Sequence, residues 1–456
     1  MPRGMRVADR LAPEARLLLG LAWPVMLTSL NWTILHVTDV AMVGLVGTEQ
    51  VAILGGSRAL TFITIVAALG WMSGIMVFTA RADGADDLPE TGQVLRDGLV
   101  LALALGATIG AAMAVFAAPM LGALGVAPAL LADTAHVVRL FAIAFPFQLI
   151  MIAISFFLEG VSRPARVTIV NFSILPINAV LAWSLSGGHL GLPALGAGGA
   201  ALATAIASAL GAIGMIIAAW TLPKARARGL RDLRAAAWVA APRRAWRLCR
   251  FGAVPAIASG LELAGFSILI ALSTQLGPAT AHAFQIVFSV HNVTFSVAMG
   301  LGSAAGVRVG NAIGEGVVDQ ARRRTLIAAG LTAAMMAMLA LLLIVAARPI
   351  IAIFPATDAV RDLALAMLPL WAGFILFDGI QLVFVYALRS IGDQVAAGIN
   401  SIIAYFIVTG GLGVVLVAQN WGATGLVLAS GSGMLVAALL SGLRFERVSR
   451  RSRTQS

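Results

Sequence analysis

Twelve stretches of this chain are apolar for the length of a bilayer crossing, and no other feature limits the possible folds as much. They run from Leu17 to Val46, Val51 to Ala80, Leu95 to Ala118, Val137 to Leu158, Val167 to Leu185 and Leu195 to Trp220. The second set runs from Phe251 to Leu276, Ala281 to Val309, Thr325 to Ala347, Asp358 to Leu388, Val395 to Ala418 and Trp421 to Leu443. A helix crosses the hydrocarbon core with about 20 apolar residues. Inside that core each backbone N–H and C=O must be satisfied by the chain itself, which leaves helices or closed barrels. Barrel strands alternate apolar and polar side chains, whereas these runs are continuous, so an outer-membrane barrel is excluded. With 60% hydrophobic and 11% charged residues in 456, the apolar side chains exceed what a soluble core could bury. The sequence predicts an all-α polytopic membrane protein.

The middle of the chain fixes its orientation. Between residues 223 and 250 lie Lys224, Arg226, Arg228, Arg231, Arg234, Arg243, Arg244, Arg247 and Arg250, against the single acid Asp232. A cationic segment between apolar blocks stays on the cytoplasmic side. Read alone it could be a nucleic-acid-binding arm, but apolar flanks of this length speak against that and no nucleic-acid partner is expected. The N-terminal Arg3, Arg6, Arg10 and Arg16, the loops after even-numbered spans, and the tail with Arg444, Arg447, Arg450, Arg451 and Arg453 repeat the same bias. The opposite loops have little positive charge apart from Arg58, Arg348 and Arg361. Both termini are therefore expected in the cytoplasm, with the chain in a bacterial inner membrane. The first apolar run has no small-residue cleavage site and is expected to be retained.

The halves resemble each other. FFLEGVSRPARVTIVN from Phe156 parallels VYALRSIGDQVAAGIN from Val385, and LGAGG near Leu195 parallels WGATG near Trp421, about 230 residues apart. An even number of spans per half makes a parallel repeat, with two six-helix lobes related by an axis along the membrane normal and a cavity between them. The expected boundaries are an amino lobe over 1–222, a basic linker over 223–250 and a carboxy lobe over 251–456.

Several function classes drop out. One cysteine, Cys249, cannot form an intrachain disulfide or an all-cysteine metal site. The histidines (His36, His136, His189, His282 and His291) have no paired metal spacing. TLPKARA around Lys224 is not a phosphate-binding loop, so the chain hydrolyses no ATP by that route. No nucleophile–base pair falls in register, and an enzyme is not expected.

What remains is a set of acids inside the spans. Asp39 lies roughly 33 Å along its helix from Leu17 and three residues after His36, on nearly the same face. It is either a functional acid or one tied structurally to a neighbour. Glu262 lies about 17 Å from Phe251, and Asp378 about 17 Å from Arg389. Two acids at one depth could share a cation, or hold a proton between them. Asn178 suits either an interhelical hydrogen bond or a site. Glu159, one turn from Arg163, is expected at the surface, and Arg81 and Arg308 are expected to snorkel. Pro24 removes a helix hydrogen bond and is expected to bend its span.

These segments resemble the multidrug and toxic compound extrusion (MATE) transporters, NorM-type branch. LAWPVMLTSLNWTILHVTDVAMVG looks like that family's first helix, with its proline at Pro24 and its acid at Asp39. FGAVPAIASGLE looks like the seventh helix with Glu262, GLGSAAGVRVGNAIGEG like the eighth, and LFDGIQLVFVYALRSIGDQ like the tenth with Asp378. GHLGLPALGAGGAALATA matches the fifth-to-sixth junction. The resemblance implies secondary active antiport: organic cations and amphipathic drugs leave in exchange for Na+ or H+ by alternating access, with no cofactor beyond the coupling ion, and the protein is expected as a monomer in the lipid bilayer. It implies Asp39 as the amino-lobe ion or proton site with Asn178 beside it, and Glu262 and Asp378 as a cation site that could take Na+. His36, Gln285, Phe374 and Gln381 are expected to support these acids or line the cavity. Two positions depart from the family pattern: Phe374 stands where a tyrosine is common, losing a hydroxyl ligand, and Ala182 replaces a polar residue one turn after Asn178. The alternative in the same superfamily is a lipid-linked oligosaccharide flippase. That would need Arg or Lys in the span interiors, where this chain carries acids.

Overall fold

The computed structural model describes residues 7–232 and 234–451, with side chains from Ala12 to Arg450. Arg3, Arg6 and Arg453 lie outside the described residues, and the side chains of Arg10 and Arg451 outside the described side chains. Among the described residues the structure is helical throughout, without a strand. The amino half holds α1 (Val7–Gly44), α2 (Thr48–Gly84), α3 (Leu88–Ala123), α4 (Pro128–Gly160), α5 (Pro164–Gly187) and α6 (Ala197–Trp220), then a short α7 (Ala235–Trp238). There follow α8 (Ala241–Gln275), α9 (Pro278–Gly314), α10 (Val318–Val345), a short α11 (Ala347–Ala352), α12 (Asp358–Ala372), α13 (Ile375–Ile391) and α14 (Gln394–Ser401). A π-helical segment (Ile402–Gly411) joins α14 to α15 (Leu412–Ala418), and α16 (Gly422–Arg451) completes the series.

Among the described residues eleven helices are long and apolar enough to cross a membrane, and α12 with α13, bent by 45° at their junction, make a twelfth crossing if counted as one. The exposed side chains Ile169, Val180, Ile213, Leu341 and Ile407 suit lipid as the surrounding solvent. Helices continue further than hydropathy alone indicates. The expected outer loop from Pro119 to Thr134 shrinks to the turn between Ala123 and Pro128, because Pro128 fills the first helical turn where a missing N–H costs nothing. At the junction of α8 and α9, Gly277 has φ 108°, open to glycine at little cost, and Pro278 starts the next helix.

The described chain forms two compact units. The amino unit is Leu27–Ala256 and the carboxy unit is Met1–Met26 with Ile257–Ser456. The changeovers fall two residues past Pro24 and one past Pro255, whereas the sequence placed the seam at 222 to 251. Side-chain chemistry explains the first turns of α1. Arg308 on α9 donates to both carboxylate oxygens of Glu14 at 2.7 and 2.8 Å. Arg308 is therefore paired with an acid, where snorkelling was expected. At the proline, Gly300 of α9 leaves no room for a Cβ against Met26 and the Ala22 carbonyl. The start of α8 is held in the same way in the amino unit. Arg244 bonds Glu90 at 2.6 and 2.7 Å and the buried Asp97 at 3.1 Å, and Trp71 donates its indole N–H to the Cys249 carbonyl at 3.1 Å. Gly70 of α2 lies against the Pro255–Ala256 backbone.

The expected linker is thus partly helix and largely bonded. Arg228 reaches Asp83 at 2.6 Å and Thr91 at 2.8 Å, and Arg96 donates to the Gly229 carbonyl at 2.8 Å. Arg234 donates to Asp232 from side chain and backbone and holds that carboxyl down at about 2, so the linker's one acid stays ionised at physiological pH. Glu159, expected at the surface, is buried at the end of α4.

A side chain at Gly70 must displace backbone, and overpacking typically costs about 1–3 kcal/mol. Gly70→Leu should therefore lower the midpoint of thermal unfolding of the purified protein. Gly55→Leu on the same helix, where a Cβ meets nothing within 4 Å, should leave it nearly unchanged. Equal losses in both variants would show that the packing at Gly70 is not the cause.

Candidate functional site

In the carboxy unit the acids converge through two breaks in regular helix. The first is at Gly373–Phe374, between α12 and α13. Pro369 cannot donate to the carbonyl four residues before it, and Gly373 follows within a turn, so the backbone is free to change direction. The new helix starts at Ile375 and carries Asp378 in its first turn, buried at 2% exposure. Phe374 stands half-buried at the break with its ring over Gly431, where a Cβ would collide with it.

The second break is the π-helical segment. Its wider turn is visible in a side-chain bond: the Thr409 hydroxyl donates to the carbonyl of Ala404, five residues back, at 3.3 Å. Gly265 of α8 and Gly433 of α16 make room, since a Cβ at either would strike the segment's own atoms at Tyr405 and Thr409. The outcome is the placement of Tyr405, whose hydroxyl donates to Asp378 Oδ1 at 3.0 Å. The hydroxyl lost at Phe374 in the sequence comparison is thus supplied from the neighbouring span.

The rest of the site closes around these two. His291 of α9 brings Nε2 to 3.9 Å from Asp378 Oδ2, and its ring is enclosed by Phe266, Phe288, Phe295 and Trp371. Glu262 of α8 is half-buried, within electrostatic reach of Asp378 and of Arg389 at the end of α13. Gln381 is buried one turn after Asp378 on the same helix. Asp378 Oδ2 and His291 Nδ1 have no hydrogen-bond partner among the described residues. Asp378, with the Tyr405 hydroxyl and the His291 imidazole beside it and Glu262 within electrostatic reach, can take up a proton or attract a small cation, and either changes the charge felt by a cationic neighbour. Gln285 is exposed, on α9 away from this group.

The amino unit holds the third acid. Asp39 on α1 is 1% exposed and has both oxygens occupied. Asn178 of α5 donates to Oδ1 at 2.7 Å, and Arg58 of α2 donates to Oδ2 at 3.2 Å. The other end of the Arg58 fork donates to the His36 carbonyl at 3.0 Å, and the His36 side chain is half-buried. The sequence reading counted Arg58 among the charges at the outer side of the membrane. The structure places it inside α2, between acid and carbonyl of one turn of α1. An arginine inside an apolar run, opposite an acid in the neighbouring run, was the available signal. Pro24 lies inside α1, which continues unbroken through it. Among the described residues no three His, Cys, Asp or Glu side chains gather as a metal-holding group.

Tyr405 and His291 were not among the residues singled out as sites. The chain has only two tyrosines, and a buried phenol needs a polar partner, so Tyr405 inside an apolar span was the visible clue.

Comparison with known proteins agrees with this architecture. The MatE family model matches the chain twice, over residues 24–184 and again over 255–415, so the two copies start 231 residues apart. The probable multidrug resistance protein NorM of Bradyrhizobium diazoefficiens is 31% identical over 97% of this chain and 95% of its own length. The protein of the same description from Deinococcus radiodurans is 31% identical over 93% of this chain and 94% of its own. Among solved structures, the eukaryotic MATE transporter AtDTX14 superposes with a TM-score of 0.85 at 21% identity, over 98% of this chain and all (100%) of that one. An outward-facing multidrug resistance MATE family transporter gives 0.86 at 18% identity, over 99% of this chain and 100% of its own, a likeness of fold. Two matched repeats and full-length relatives lead to one conclusion: this chain belongs to the MatE family of membrane transporters and is not an enzyme.

Proposed function

We propose that the protein is a secondary active antiporter of the bacterial cytoplasmic membrane. It exports organic cations and amphipathic drugs in exchange for Na+ or H+ by alternating access, as a monomer with both termini in the cytoplasm. The multidrug resistance descriptions of its relatives suggest the substrate class. The observation that carries the reading is the buried Asp378 with Tyr405 and His291 beside it and a second acid, Glu262, within electrostatic reach.

The coupling follows from charge. With no ion bound, the cluster carries carboxylate charge that Arg389 offsets only in part, in a low-dielectric setting, and attracts a substrate cation. An inward-moving Na+ or H+ at the same acids cancels part of that charge and favours substrate release. An ion changes the balance between packings only if it binds them with different affinity. Tyr405 and the α13 start are the elements whose geometry around a bound ion differs most easily, because each sits at a break in regular helix.

The test is export of a fluorescent organic cation from proteoliposomes, with sodium and pH gradients imposed one at a time. Export driven by either gradient, and absent without one, is expected. Export that runs equally with no gradient, or transfer of lipid in place of the dye, would overturn the reading.

A further inference from the structure

In the amino unit the acid that could take an ion already has a cation. Asp39 accepts from Asn178 at 2.7 Å and from Arg58 at 3.2 Å, and Arg58 also holds the His36 carbonyl at 3.0 Å. The side chain of Arg58 is 18% exposed and that of Asp39 is 2% exposed. The guanidinium is planar and permanently charged, so no ordinary pH change releases it. Its two terminal nitrogens bridge an acid and a carbonyl one turn apart, a geometry that a lysine ammonium matches less well. Among the described residues the charged group facing Asp39 is Arg58, and the His36 side chain lies within electrostatic reach of Arg58.

We propose that Arg58 is a tethered counter-cation: it fills the place a monovalent cation would take at Asp39, and the amino unit binds Na+ or H+ only when this fork opens. A second cation entering beside the guanidinium meets like charge at close range, so the closed fork excludes it. When the fork opens, the carboxylate is left with the Asn178 amide. Asn178 Oδ1, on a fully buried side chain, has no hydrogen-bond partner among the described residues. That oxygen and the two of Asp39 are hard ligands of the kind a sodium ion takes. Arg58 therefore decides which of the two acid sites exchanges ions in the closed state, leaving exchange to the carboxy unit. The proposal rests on reading the chain as an ion-coupled transporter, but its test needs no transport.

Binding of radioactive sodium to the purified full-length protein reads it directly, together with proton uptake at constant volume. The background is Glu262→Gln with Asp378→Asn, which silences the carboxy unit. That background should bind neither ion measurably. Adding Arg58→Met or Arg58→Gln should create saturable binding of sodium, or uptake of a proton, tightened on the order of 100-fold by loss of the like charge. A further Asp39→Asn should remove it, and Arg58→Lys should remain close to the background. Arg58→Gln retains amide donors, so the test survives if the methionine variant fails to fold. Ion binding in the background itself, no gain in either folded Arg58 variant, or a gain that persists in Asp39→Asn would overturn the proposal. If the gain appears and depends on Asp39 while wild-type export ignores both gradients, the proposed coupling fails and the assignment of Arg58 stands.

Discussion

Replacing Glu262 with Gln and Asp378 with Asn together should reduce gradient-driven export by roughly 100-fold or more, to the rate seen with no gradient. The reason is that both substitutions are nearly isosteric and remove charge alone. Asp378 is buried and positioned by Tyr405, and Glu262 supplies a second charge within electrostatic reach of it. With both neutral, nothing at the site distinguishes an ion-loaded state from an empty one, so neither gradient can do work. Initial rates of dye export under each gradient measure this directly, with protein amount and orientation matched between samples. Asp39→Asn should cost far less, because Asp39 is already neutralised by Arg58.

The second large effect concerns Tyr405. Tyr405→Phe keeps the ring, its packing on Phe266 and the π-helical turn, and removes only the hydroxyl that donates to Asp378. A hydrogen bond to a charged group contributes about 1.5–3 kcal/mol, so half-saturation by the driving ion should shift by about tenfold or more. The maximal rate should change less, since the acids remain. Ion titration of export at saturating dye separates the two quantities. An unchanged half-saturation would remove Tyr405 from the site. Gly265→Leu should act more severely by displacing the segment that carries Tyr405, and it should lower thermal stability as well.

How much of this was legible from sequence depends on the range of the interaction. Span number, repeat and the three acids inside the spans were all readable, because each rests on local apolar runs or on a charge standing inside one. The partners of those charges were not. Glu14 and Arg308 are almost three hundred positions apart, and neither residue alone signals the other. Arg58 read as an outer-side charge because hydropathy assigns a charged position near a span end to the outside. The structure shows that an acid at matching depth lets the helix absorb it. The break at Gly373 and the π-helical segment were hidden for a different reason. Both are changes of backbone register inside continuous apolar runs, and periodicity over such runs says nothing about a one-residue insertion in the turn. The changeover between units near Pro24 and Pro255 depends on glycine contacts at Gly300 and Gly70, which only the packed helices reveal.

Antiport means that each gradient can drive the other, and this is the most direct test of the account. Proteoliposomes loaded with a substrate cation and diluted into substrate-free medium impose only a substrate gradient. Substrate leaving the vesicles should then drive radioactive sodium, or protons followed by an internal pH dye, inward against no gradient of their own. The Glu262→Gln/Asp378→Asn protein should show no such ion movement. Substrate efflux unaccompanied by sodium or proton uptake in wild type, or ion uptake that persists in the double variant, would contradict coupling at the carboxy-unit acids.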